Sequence, residues 1–334
     1  MLKTGKVPES VLKRSIIKQI RTKRDEIVVG AGVGEDCAAI ALEADELFVT
    51  STDPITGTGH DIGALSVHVT ANDIASSGAE VIGIMLSILL PEGCEESELK
   101  SVMQQVEEVC GRLNIQTVGG HTEVTSVVNQ PVITATGIGK VKRDKLVTTA
   151  GARPGDDVVI TKWIGLEGTS IIAKEDEEHL LSRFPASMVE TAKGFEQYLS
   201  VVPDAGYAVK IGVTAMHDVT EGGVFGALWE VAEASGVGLE IELLDIPVRQ
   251  ETVEICEEYG ISPYQLISSG SMLITTKNGA EVVKALKDAG INAAVIGKVT
   301  EGNDRILRNG DEIRYLTPPA ADELYKVIRR KDKK

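Results

Sequence analysis

Apolar positions recur along the chain with two periods, and the alternation between them marks the elements. From Pro8 to about Arg21, Leu12, Ile16 and Ile20 fall every four positions with basic residues between them, the signature of a helix with Pro8 in its first turn. Residues 46–52, ELFVTST, read as a strand, and 60–78, HDIGALSVHVTANDIASSG, as a helix that ends at Gly78. The run VIGIMLSILL is apolar apart from Gly83 and Ser87 and predicts a buried strand. Next, Leu99, Val102, Met103, Val106, Val109, Cys110 and Leu113 line one helix face, followed by a short strand, IQTV, and a longer one, PVITATGIGKV. The order βαβαββ predicts an α+β or mixed α/β layer structure.

Gly, Pro and Ala cluster in TTAGARPGDDV, and a new strand, DVVITKWI, starts behind them. The boundary is placed near Gly151, giving domains 1–150 and 151–334. The second half again alternates, with helices near 187–200, 221–235, 279–289 and 319–330 and strands near 237–242, 271–276 and 293–298. The 334 residues, 43% apolar, match two domains of ordinary size, each with its own core.

Charge narrows the partners. With 34 Lys and Arg against 50 Asp and Glu, the net charge of −16 repels nucleic acid and anionic membrane. An anionic small substrate then requires a divalent cation. The longest apolar run, VIGIMLSILLP, is shorter than the roughly 20 residues a bilayer demands, and MLKTGKVPES has no apolar core of a signal peptide. A soluble cytoplasmic protein is expected. Cys37, Cys94, Cys110 and Cys256 show no metal-ligand spacing and read as reduced thiols. Cys37 follows Asp36, whose charge disfavours a nucleophilic thiolate.

VGAGVGEDCAAI, residues 29–40, fits neither a dinucleotide fingerprint nor a P-loop, because Glu35 and Asp36 stand where small or basic residues would be needed. The glycines suit a strand-to-strand loop, which either presents Asp36 to a cleft or is a plain surface turn. Asp53 closes the strand FVTSTD ahead of Pro54, and Asp73 sits among small and apolar residues on a helix. Such carboxylates are costly unless paired or metal-bound, so Asp36, Asp53 and Asp73 suggest a Mg²⁺-type site that bridges to substrate phosphates. In VGGHTEV the amides of Gly119 and Gly120 face an anion or form an ordinary hairpin. In MHDVTEGGVFGALWEV, His217, Asp218 and Glu221 gather at a helix entrance where Thr220 reads as the cap; phosphate binding and simple capping both remain open.

Taken together, GKVP, GVGEDCAAI, STD, ANDIASSGA, GGHTEV and DVTEGGVFGALWEVAEASGVGLEIE resemble, in order and spacing over almost the whole chain, the aminoimidazole ribonucleotide synthetase superfamily, and within it the hydrogenase expression/formation branch, HypE. The resemblance implies a two-domain ATP-binding enzyme, a homodimer whose N-terminal sheets pair into a barrel with ATP in a cleft beside the interface. By position it implies Asp36, Asp53 and Asp73 as Mg²⁺–triphosphate ligands, with His121 in the fourth place, where the family carries the Asp of Gly-Gly-Asp-Thr-Glu. It implies Lys6, Asn72, Gly119, Gly120, Thr122 and Thr220 as nucleotide contacts, and Asp218, Glu221 and His217 as groups acting on the γ-phosphate or on a proton. The implied reaction is phosphoryl transfer from Mg–ATP to a carbonyl- or amide-type oxygen of a small-molecule or protein acceptor, in metalloenzyme maturation. Two departures bear on it: Ser269 stands where HypE sequences carry an acid, and the tail YKVIRRKDKK lacks the Cys that HypE modifies, which argues against self-directed dehydration. A non-catalytic nucleotide-binding scaffold and a small-molecule kinase of the same superfamily are the alternatives.

Overall fold

The computed structural model describes residues 2, 5–32, 37–56 and 61–331. It separates into two compact units, Met1–Ala75 with Ala79–Leu146, and Ser76–Gly78 with Val147–Lys334. Both are mixed α/β structures. Among the described residues no helix is long and apolar enough to cross a membrane.

In the first unit, β1 (Gly5–Lys6) precedes α1 (Glu9–Val11), which passes into a π turn at Leu12–Ile16 and a 3-10 turn at Ile17–Gln19. The regular helix expected to Arg21 is therefore shorter and irregular. Its wider turn carries an extra residue, so Val11, Ile16 and Ile20 are buried and Leu12 is half-buried. β2 (Ile27–Val29) and β3 (Ala39–Ile40) pair antiparallel as a separate ribbon, and the glycine loop joins them.

Then follow β4 (Glu46–Ile55), α2 (Ile62–Ser76), β5 (Glu80–Pro91), α3 (Glu96–Leu113), β6 (Gln116–Thr125) and β7 (Val132–Lys142), the βαβαββ order that periodicity predicts. The sheet runs β1-β6-β5-β7-β4, with β5 and β6 parallel and the other pairs antiparallel. α3 buries Leu99, Val102, Met103, Val106, Val109 and Cys110, and a reciprocal box of Glu95 and Glu98 caps it. α2 lies close on the sheet: a Cβ at Gly139 would come within 2.4 Å of Ile74 Cγ2, so the bare backbone of β7 lets the helix descend. That approach fixes where the preceding residue, Asp73, meets β4.

The second unit contains β8 (Asp157–Thr161), α4 (Leu166–Glu175), α5 (Glu177–Arg183), α6 (Ala186–Lys193), α7 (Val202–Ile211), β9 (Ala215–Asp218), α8 (Gly223–Ser235), β10 (Gly238–Glu242), α9 (Gln250–Tyr259), β11 (Met272–Thr276), α10 (Gly279–Asp288), β12 (Ala293–Thr300), β13 (Arg305–Asn309), β14 (Glu312–Tyr315) and α11 (Leu324–Lys331). Its sheet, β14-β13-β10-β12-β8-β11-β9, is antiparallel except for β10 with β13. α8 packs Val224, Leu228 and Val231 with Ile160, Leu273 and Ile296 of the strands. A second core joins α4, α6, α9 and α11 through Ile172, Val189, Ile255, Leu324 and Val327. Helices α4, α5, α7 and α9 lie outside the ranges the sequence predicts for helices.

Candidate functional site

On β4, side chains alternate: Thr52 and Pro54 are exposed, while Ser51 and Asp53 share the face toward α2. Asp73 arrives on that face from α2. Ser51 Oγ donates to Asp73 Oδ2 at 2.6 Å and lies 3.5 Å from Asp53 Oδ2. Two carboxylates expected to bind metal, 20 residues apart in the chain, thus meet at one hydroxyl, and both are half-buried. Such a set of hard oxygens suits Mg²⁺, which keeps several waters and needs few protein ligands. Asn72, next to Asp73, is fully buried on α2. Asp36 and Glu35 lie outside the described residues.

His121 is not brought to this pair. It pairs across the sheet with Ser87, Thr134 and Pro54, whereas Asp53 belongs to the adjacent row of Ala135, Leu86 and Gly120. Adjacent rows face opposite sides, and three strand spacings put His121 roughly 14 Å from β4. Its exposed ring lies 3.2 Å from Glu123, through Nε2. Among the described residues, no three His, Cys, Asp or Glu side chains converge on one point.

Gly119 and Gly120 form neither a turn nor a hairpin, because β6 continues through them to Thr125. Thr117 opposes Ile84 and Gly119 opposes Met85, so Val118 is an extra residue, a bulge. At Gly120, φ is 148° and a Cβ would stand 2.1 Å from Leu86 O, so the glycine serves a close strand contact. Among the described residues β1 pairs with β6 at Glu123 and Val124, and Val7 N–H donates to Thr122 O at 3.3 Å. The edge ahead of that pairing opens on a cavity of about 470 Å³, lined by Gly32, Cys37, Gly119, Gly120, Thr122 and Thr136 among others. Thr122 is buried there, and Lys6 lies in β1, its side chain outside the described part.

In the second unit, β9 delivers His217 and Asp218 to opposite faces. His217 Nε2–H donates to Glu230 Oε2 of α8 at 2.7 Å, which leaves Nδ1 toward the Thr149 hydroxyl at 3.5 Å. Asp218 is buried. The expected Thr220 cap is corrected: α8 starts at Gly223, its cap is Gly222, and no side chain caps it. Gly222 and Gly223 have φ of 83° and 60°, and a Cβ at Gly223 would meet Tyr264 O at 2.6 Å. Two consecutive left-handed residues form a tight turn that Thr220 precedes, with Thr220 O accepting from Gly223 N–H at 3.1 Å. Glu221 projects from it, and its Oε1 accepts from the Tyr325 hydroxyl at 2.7 Å.

Three contributors escaped sequence reasoning. Ser51 was visible in principle, two residues before Asp53 on a strand and therefore on its face. Asp322 and Glu167 carry no local signal. Asp322 Oδ2 accepts from Gly222 N–H at 2.7 Å. Glu167 is pushed up to about 7, chiefly by burial, with Asp322 and Glu221 adding to it.

Residues 34–141 match the N-terminal domain and residues 153–308 the C-terminal domain of AIR synthase related proteins. A putative hydrogenase expression/formation protein of Methanocaldococcus jannaschii is 27% identical over 311 residues, covering 91% of this chain and 90% of that protein. Carbamoyl dehydratase HypE of Cupriavidus necator is 31% identical over 247 residues, 72% of this chain and 68% of its own. The fold is that of hydrogenase maturation protein HypE solved in complex with ATP, with a TM-score of 0.79 at 22% identity over 94% of this chain and 95% of that one. The chain belongs to the family of AIR synthase related proteins.

Proposed function

We propose that this protein is an ATP-dependent enzyme of the hydrogenase-maturation type, which transfers the terminal phosphoryl group of Mg–ATP to a carbonyl- or amide-type oxygen. The observation that carries this reading is the meeting of Asp53 and Asp73 at the Ser51 hydroxyl. The relative named carbamoyl dehydratase and the fold neighbour solved with ATP support it. A Mg²⁺ ion supplies charge neutralisation on the phosphate oxygens.

Asp53 and Asp73 hold the cation with Asp36, and Ser51 fixes the Asp73 carboxylate by its hydrogen bond. Lys6, Asn72, Gly119, Gly120 and Thr122 contact the nucleotide. Thr220 and Glu221 serve the terminal phosphate, and Asp218 takes the proton. His217 is already engaged at both ring nitrogens, through Nε2 with Glu230 and through Nδ1 near the Thr149 hydroxyl, so it is the second candidate for the proton. With an amide acceptor, the amide oxygen takes the phosphoryl group and ADP leaves. The new phosphate ester then departs as phosphate while the nitrogen gives its protons to base, so the amide loses the elements of water. The enzyme acts as a homodimer, a reading supported by Phe48, which is 53% exposed on the sheet face away from α2.

Thermal unfolding with and without Mg–ATP, followed by ADP release in the presence of carbamoyl and amide compounds, tests this. At 100 times Kd, Mg–ATP adds about 2.7 kcal/mol of stability. A shift without ADP formation under any condition favours the non-catalytic scaffold, and no shift at all rejects nucleotide binding.

A further inference from the structure

The turn that carries Glu221 is held by a segment from the other end of the second unit. Asp322, 3% exposed, accepts from Gly222 N–H through Oδ2 at 2.7 Å and from Leu324 N–H through Oδ1 at 2.8 Å. Tyr325, three residues on, donates its hydroxyl to Glu221 Oε1 at 2.7 Å. Pro319 crosses the same turn: a Cβ at Gly222 would meet Pro319 Cβ at 3.5 Å, and one at Gly226 would reach it at 4.0 Å. Residues 319–325 therefore form a strap over the entrance of α8, with anchors on two consecutive residues of the turn. One anchor takes the backbone of Gly222 and the other the side chain of Glu221.

An exposed Glu on a turn samples several rotamers, and fixing it costs entropy each time a ligand must be met. A tyrosine hydroxyl that holds one carboxylate oxygen removes that cost in advance and leaves the second oxygen for the ligand. The Asp322 carboxylate is buried and accepts from backbone amides through both oxygens, so it shapes the turn and leaves Glu221 as the group that faces solvent.

We infer that Tyr325 and Asp322 are positioning residues that orient Glu221 for Mg–ATP, acting through the strap. This rests on the reading that Glu221 serves the terminal phosphate. The test is a double-mutant cycle on the full chain, titrated calorimetrically with Mg²⁺ and a non-hydrolysable ATP analogue. Tyr325→Phe removes one hydroxyl from a residue that is 40% exposed, so the fold is kept. It is expected to weaken binding about tenfold, the size of one hydrogen bond to a charged group. In a Glu221→Ala background, which leaves the Tyr325 hydroxyl no carboxyl or amide oxygen to hold, the same change has no further effect. Asp322→Asn, which keeps an acceptor for Gly222 N–H, loses less than Asp322→Ala. If Glu221→Ala weakens binding while Tyr325→Phe is neutral or strictly additive, the strap has no positioning role and the inference fails alone. If Glu221→Ala is itself neutral, the phosphate reading of the turn falls and the inference goes with it.

Discussion

The two units place their charged groups in opposite settings. In the first, Asp53 and Asp73 are half-buried on regular elements and meet at a serine hydroxyl. In the second, Lys162 and Asp204 are sealed in the interior: Lys162 Nζ contacts both Asp204 oxygens at 2.7 and 2.8 Å, Gly270 O at 2.7 Å and Ser200 O at 2.9 Å. Burial pulls the Lys162 ammonium down, and Asp204 opposes that pull. A charge that the protein seals in its interior with partners is a structural element; half-buried carboxylates that meet at a hydroxyl suit a cation that keeps its waters.

Lys162 carries the largest expected effect. Lys162→Met strands the fully buried Asp204 carboxylate, and breaking a buried pair in this way costs about 3–5 kcal/mol. In calorimetry the second unit's Tm falls by about 10 °C. Adding Asp204→Leu restores most of the loss, because an apolar pair of similar volume needs no hydration. Mg–ATP affinity of the folded protein is unchanged in both variants; a specific loss of affinity would move Lys162 from scaffold to site and end the contrast.

Glu167 sharpens the contrast through pH. Its ordinary value is 4.5 and burial holds it at about 7 in the fold. Between those values the folded protein keeps a proton that the unfolded chain has released. The stability linked to this group is therefore complete below about pH 4.5 and is lost as pH rises through about 7. Glu167→Gln copies the protonated form. Relative to the parent protein it leaves stability unchanged at the acid end and adds about 3 kcal/mol at pH 8, read from urea unfolding across the range. A constant difference at all pH values would mean that Glu167 does not titrate in this window.

Much of this was legible in the sequence, for identifiable reasons. Strand β5 is a continuous apolar run and helix α3 has a long apolar stripe that fits a helical period, and both lie where the sequence predicts. Asp53 stood out because it closes a strand ahead of Pro54, and Asp73 because it breaks a small and apolar helical neighbourhood. His121 was misplaced because motif position does not reveal strand parity: one residue along a strand turns a side chain to the other face. Gly119 and Gly120 suggested a turn because glycine's local signal is the same for a turn and for a close strand contact. The tether of Asp322 to Gly222 spans 100 residues and leaves no local trace.

At the metal pair the expectation is affinity loss without instability. Asp53→Asn or Asp73→Asn removes one charged ligand and weakens Mg–ATP binding by at least about 100-fold, above the range for groups that only orient ligands. Unfolding without nucleotide is unchanged or slightly improved, since like charges no longer face each other. Calorimetric titration with Mg–ATP checks the affinity. Unchanged affinity in both variants would reject the cation site.

Ser51 gives the smallest effect and the finest discrimination. Its hydroxyl has one proton, and the short 2.6 Å contact assigns that proton to Asp73, while Asp53 lies at the 3.5 Å limit. Ser51→Ala therefore removes one orienting hydrogen bond from the Asp73 carboxylate but no charge. Loss of such an orienting partner weakens metal binding about tenfold. The loss appears for Mg–ATP and in a Mg²⁺ titration at fixed nucleotide, and it is smaller in an Asp73→Asn background because the oriented group is already altered. Ser51→Thr keeps the hydroxyl on a strand that favours β-branched residues, and so retains most of the affinity. Equal losses for Ala and Thr would show that the space at position 51 matters and the hydrogen bond does not, and the meeting of the two carboxylates would then be packing without chemistry.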